Sequence, residues 1–153
     1  MLDTQEKEET KEKSERSKRG KKSRADGKLF ELKTRKDLES RGWIVCKYGN
    51  TVEFDEDGNG KIIIAKSKYN PFLKRVINEG SGWPDHLAIR HDKEHPELFN
   101  VIGVESKRAK YLDNSEKRMA TFYLDNKIFT KIYIAYPIKQ GRHTQIVYQQ
   151  FER

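Results

Sequence analysis

Three residues near the middle of this chain have types and spacing that could do chemistry: Asp85, Glu105 and Lys107. Residues 101–107 read VIGVESK, an apolar run that ends in charge. Side chains alternate faces along a strand, so Val101, Gly103, Glu105 and Lys107 share one face and Ile102, Val104 and Ser106 the other. A carboxylate and an ammonium therefore emerge together from the end of a buried element, where unpaired charge is costly. Asp85 follows Pro84 at the start of the preceding apolar run, HLAIR at residues 86–90. If the two runs pair antiparallel, the start of one lies beside the end of the other, and Asp85 comes next to Glu105 and Lys107.

Two carboxylates and a lysine suit phosphodiester cleavage. Hard oxygen ligands hold Mg²⁺, which retains several waters. Such an ion acidifies water and neutralises developing phosphate charge. The lysine can orient the attacking water or stabilise the transition state electrostatically. The backbone carbonyl of Ser106 is a further candidate ligand. Arg108, Lys110, Lys117 and Arg118 follow the run and could grip a phosphate backbone, or form only a charged turn and helix face. Trp83 could stack on a base or pack in the core. His91 and His95 read as surface histidines, and His86 as a packing residue facing away from Asp85. DEDGNG (55–60) lacks the spacing and terminal glutamate of a calcium loop.

The elements that must position these groups are legible in outline. Leu29, Phe30, Leu32 and Leu38 predict a helix with an apolar side that ends at Gly42. WIVCKY (43–48) reads as a strand, with Cys46 as a buried small hydrophobe. TVEF and KIIIAK flank DEDGNG as a hairpin. Asn70 and Pro71 predict a helix start, with Gly80 after its end. Asp113 followed by Glu116 predicts a capping box for a helix through about residue 126. KIYIAY (131–136) and QIVYQQF (145–151) read as closing strands. The order is that of a mixed α/β domain.

The net charge of +8 favours a polyanionic partner. Most of that surplus belongs to the part expected to fold: residues 1–26 carry 9 basic and 7 acidic groups, the remainder 23 and 17. Residues 1–26 have no apolar residue between Leu2 and Ala25, so they read as a disordered charged tail or a frayed helix, with residues 27–153 as the domain. The basic stretch 16–24 could serve as a phosphate-gripping arm or as a solubilising tail. A single cysteine excludes an internal disulfide and a Cys-based zinc site. No apolar run approaches the roughly 20 residues of a bilayer span. The N-terminus has no apolar signal region, so a soluble, intracellular protein of cytoplasm or nucleoid, or of a host cell if viral, is expected.

SGWPD followed by VIGVESK resembles the PD-(D/E)xK nuclease superfamily, and in its small size most resembles archaeal Holliday-junction resolvases and related viral nucleases. The resemblance covers roughly residues 27–136. It implies a restriction-endonuclease-like core, a mixed central sheet flanked by helices in the order α-β-β-β-α-β, here with a hairpin and helix insertion. It implies metal ligation by Asp85 and Glu105, a catalytic lysine at Lys107, and a supporting metal- or water-orienting role for Glu31 in KLFELKTRKDLESRGWIV. Ser81 matches the small residue often found before Pro-Asp, near the nucleic acid. The implied activity is Mg²⁺- or Mn²⁺-dependent endonucleolytic hydrolysis of DNA in recombination or repair, with RNA and a homodimer left open. The alternatives are a branched-DNA resolvase, a non-catalytic nucleic-acid-binding protein on a nuclease fold, and a basic interaction module. The 35 or so residues between the first strand and Pro84 depart from a minimal resolvase.

Overall fold

A computed structural model describes residues 2–66, 68–72, 75–77 and 82–152. The first helix, α1, spans Leu2–Ser40 and so includes the charged stretch at its N-terminal end. Its described side chains up to Ala25 are exposed, and packing begins farther on, with Thr34 and Leu38 buried. Its end is set by Gly42, whose φ of +83° only glycine adopts cheaply. The amides of Trp43 and Gly42 then close onto the carbonyls of Leu38 and Glu39, at 3.2 and 3.0 Å, in a Schellman arrangement.

Five strands form the main sheet: β1 (Ile44–Lys47), β6 (His86–His91), β7 (Phe99–Ser106), β8 (Lys131–Gln140) and β9 (His143–Gln150), in that spatial order. Between β1 and β6 the chain makes two separate hairpins, β2 (Asn50–Phe54) with β3 (Gly60–Ile64), and β4 (Lys68–Asn70) with β5 (Arg75–Ile77). The pairs β1–β6, β6–β7 and β8–β9 are antiparallel and β7–β8 is parallel. A parallel neighbour needs a crossover, and helix α2 (Asn114–Asp125) supplies it. The expected mixed α/β architecture is thus present, among the described residues as two helices and a mixed five-strand sheet with hairpins.

The sheet is buried on both faces. Leu38 of α1 packs with Val45, Ala88, Ile102, Val104 and Ala135 on one face. Tyr123 and Ala120 of α2 pack with Tyr48, Trp83, Phe129, Ile132 and Ile134 on the other. Each large apolar side chain withdrawn from water contributes about 1.5–3 kcal/mol. The alternation along β7 follows from this: Ile102 and Val104 face α1, so Val101, Gly103 and Glu105 face α2. Among the described residues no helix is long and apolar enough to cross a membrane.

Two expectations fail. The helix predicted from Asn70 and Pro71 is instead the β4–β5 hairpin, with Asn70 opposite Arg75 and Pro71 in the turn. Proline's fixed φ and missing N–H serve a turn as well as a first helical turn; Gly80 lies outside the described residues. Cys46, expected to be buried, is exposed. β1 is an edge strand, and only Val45 of its four residues is buried.

Candidate active site

Local chain geometry brings Asp85 to the end of β7. The peptide bond between Trp83 and Pro84 is cis, and Gly82 before it has φ of +85°. A Cβ at Gly82 would sit 2.1 Å from the Tyr48 carbonyl oxygen, so only glycine lets this segment pass so close to the end of β1. Gly103 plays the matching part on β7, where a Cβ would meet Pro84 Cγ at 2.8 Å. Trp83, buried and stacked at 6.0 Å on Tyr123, anchors the turn in the core.

The antiparallel β6–β7 register, His86 opposite Val104, then sets Asp85 beside Glu105. The contact is reciprocal. The Asp85 amide donates to Glu105 Oε2 at 3.1 Å, and the Ser106 amide donates to Asp85 Oδ2 at 2.9 Å. Lys107 Nζ lies 3.3 Å from Glu105 Oε1 and donates to Glu116 Oε1. The three residues singled out by spacing are thus one cluster, at the end of β7 and the start of β6.

Glu116 has two tasks. It is the N3 residue of α2, and its Oε2 accepts from the Asp113 amide at 2.9 Å while Asp113 Oδ1 accepts from the Glu116 amide at 2.9 Å. The expected capping box is present, and its glutamate also holds the lysine. Sequence reasoning assigned Glu116 only to the cap. The signal that could have found its second role is the short loop between Lys107 and Asp113, which returns the first turn of α2 to the strand end.

Electrostatics mark the cluster. Burial, and next the neighbouring Asp85 charge, push the Glu105 carboxyl up to about 8. Burial likewise raises Asp85, against the Ser106 hydrogen bond and the Lys107 charge that lower it. Glu31 of α1 is half-buried, and its carboxyl is raised by burial and by Asp85. Burial lowers the Lys107 ammonium, but the bonds to Glu116 and Glu105 outweigh it and raise it overall. Lys47 of β1, which sequence reasoning passed over, lowers both Asp85 and Glu31 by its charge. His86 is buried on the α1 side, as its alternation with Asp85 requires, and burial lowers its pKa.

The remaining predicted residues divide. Arg108 pairs with Asp26 of α1 at 2.9 Å, tying that helix to the loop after β7. Lys110 and Lys117 line one shallow cleft with Tyr111 and Gln149. Arg118 points elsewhere: its guanidinium lies 4.0 Å over the Phe54 ring and donates to the Gly58 carbonyl, bracing the β2–β3 hairpin. Ser81 lies outside the described residues.

Among the described residues no group of three or more His, Cys, Asp or Glu side chains is arranged to hold a metal. That arrangement is what zinc requires; Mg²⁺ binds through one or two carboxylates and keeps its waters. The donor set here fits the second case. Two carboxylates lie together, each held above its ordinary pKa, with one lysine shared between Glu105 and Glu116. Such a pair lacks positive charge that a divalent cation would supply. Comparison with protein-family models, with curated proteins and with solved structures finds no match for this chain.

Proposed function

We propose that this chain is a metal-dependent nuclease that hydrolyses DNA phosphodiester bonds at the Asp85, Glu105 and Lys107 cluster. The observation that carries the reading is the convergence of a buried carboxylate, Glu105, a half-buried one, Asp85, and a lysine at one strand end. Asp85 and Glu105 would hold Mg²⁺ or Mn²⁺, with the Ser106 carbonyl as a candidate third ligand. The bound ion supplies Lewis-acid polarisation and a more acidic water.

The chain's own groups do the rest. Lys107 presents a fixed ammonium to the reacting phosphate or the attacking water, and Glu116 keeps it protonated and oriented. Glu31 of α1, whose carboxyl feels the Asp85 charge, would accept a hydrogen bond from water at the edge of the site. The basic surplus of the domain draws in the polyanionic substrate.

The test uses purified protein with labelled linear, single-stranded and four-way-junction DNA, in Mg²⁺, Mn²⁺ or EDTA, beside Glu105→Ala protein prepared identically. Metal-dependent cutting by the wild type and none by the variant is expected. Tight DNA binding without cutting in either metal would replace the nuclease with a non-catalytic binding protein.

A further inference from the structure

A second feature lies on the α1 face of the sheet, at the opposite end of the strands from Asp85. It is a cleft of about 380 Å³ lined by Arg41, Trp43, Arg90, Lys131, Tyr133 and Tyr148. That volume is within the roughly 300–1,000 Å³ of small-ligand sites. Three cations and three aromatic rings face a single carboxylate of the lining, Asp92. Asp92 is already engaged: its oxygens accept from Asn100 Nδ2 at 2.8 Å and from the amides of Glu94 and His95 at 2.9 and 3.1 Å.

Arg41 is also satisfied, paired with Asp37 at 2.9 Å and lying 5.1 Å over the Tyr148 ring. Arg90 and Lys131 are different. Among the described residues neither has an ion pair. The Arg90 guanidinium is stacked 4.3 Å over Trp43, and among the described residues its one hydrogen bond is a long 3.4 Å contact from Nη1 to the Arg41 carbonyl. Its Nε is buried with no partner. A planar cation held on an indole, with terminal N–H donors to spare, and an ammonium without an ion pair among the described residues offer an oxyanion converging donors in one cleft.

We infer that this cleft binds a phosphate of a nucleic-acid strand, held by Arg90 and Lys131 with Trp43 beside it. That the phosphate belongs to nucleic acid rests on the nuclease reading; that the cleft takes an oxyanion does not. The aromatic rings of the lining favour a strand over a bare ion, because a base next to the phosphate can stack on an aromatic face.

Tryptophan emission reads the site directly. The chain has two tryptophans, and Trp83 is buried against Tyr123 on the other face. The full chain is titrated in EDTA, where hydrolysis stops, with inorganic phosphate and with a short single-stranded oligodeoxynucleotide. A saturable change with the oligonucleotide is expected, absent in Trp43→Phe and weakened about tenfold or more by Lys131→Glu or Arg90→Gln. Lys131 is exposed, so its reversal tests the site even if Arg90→Gln loosens the stack on Trp43. Saturation by phosphate alone, no saturable change, or a change untouched by Lys131→Glu would each overturn the inference. Oligonucleotide binding here in a protein that never cuts DNA would sink the nuclease and leave this cleft supported.

Discussion

Replacing Glu116 separates the two tasks of that side chain. Glutamine keeps an acceptor oxygen for the Asp113 amide, and a capping box uses Glu or Gln. It lacks the charge that holds Lys107. Glu116→Gln is therefore expected to lose only the pairing with Lys107, which keeps Glu105 as a partner. Glu116→Ala removes the cap as well and costs about 1 kcal/mol.

Activity should divide the other way. With Glu116 neutral, the Lys107 ammonium turns to its remaining partner, Glu105, only 3.3 Å away. On the proposed reading it would then compete with the cation for that carboxylate and be drawn away from the phosphate. Small misplacement of a catalytic group can cost on the order of 100-fold, so both variants should lose roughly 10- to 100-fold. Initial cleavage rates across a Mg²⁺ series, beside denaturant melts in EDTA, measure both effects. Wild-type rates and Mg²⁺ dependence in Glu116→Gln, or equal stability losses in the two variants, would refute this account of Lys107.

The like-charge pair also predicts a stability signature without metal. Glu105 keeps its proton in the folded chain up to about pH 8, against 4.5 for the ordinary group. A raised carboxyl contributes stability that is complete below its unfolded pKa and is lost as pH climbs through the folded one, at ~1.4 kcal/mol for each pH unit between the two values. Glu105→Gln should thus become increasingly more stable than the wild type from about pH 5 to 8, with the gap constant above; a gap independent of pH, read from melts in EDTA, would contradict the burial of this charge. At Gly82, alanine must adopt φ of +85° and meet the Tyr48 carbonyl. Gly82→Ala should cost roughly 2–5 kcal/mol in denaturant unfolding, and a loss under about 1 kcal/mol would show that the turn relaxes freely.

Local patterns that have one structural solution were readable. An apolar run with alternating faces and charge at its end gave β7 and the common direction of Glu105 and Lys107. Asp113 followed by Glu116 gave the start of α2. The failures are at residues with two solutions. Pro71 suits a turn or a helix start, and the choice fell to Val76 and Ile77, whose branched side chains favour a strand. Cys46 would be buried in an inner strand, but spatial order makes β1 an edge. β8 runs past the predicted end at 136 because Pro137 lies beyond the β7–β8 register, which stops at Ala135. No neighbour on that side needs its missing N–H.

The residues that complete the site were hidden for a related reason: their partners are distant in sequence. Glu116 had a sufficient local explanation, and Lys47 looked like an ordinary strand-end charge. Together the cluster sets Asp85, Glu105, Glu116 and Glu31 against Lys107 and Lys47. A structural ion-pair network gains most when its charges balance, because each buried unpaired charge is expensive. Here carboxyls outnumber lysines, and burial, joined at Glu105 and Glu31 by the Asp85 charge, raises Asp85, Glu105 and Glu31 above their ordinary pKa. The rest of the sheet has well-packed apolar faces that could have continued through these positions. The excess is therefore a local cost, and on the proposed reading a divalent cation at Asp85 and Glu105 would offset it.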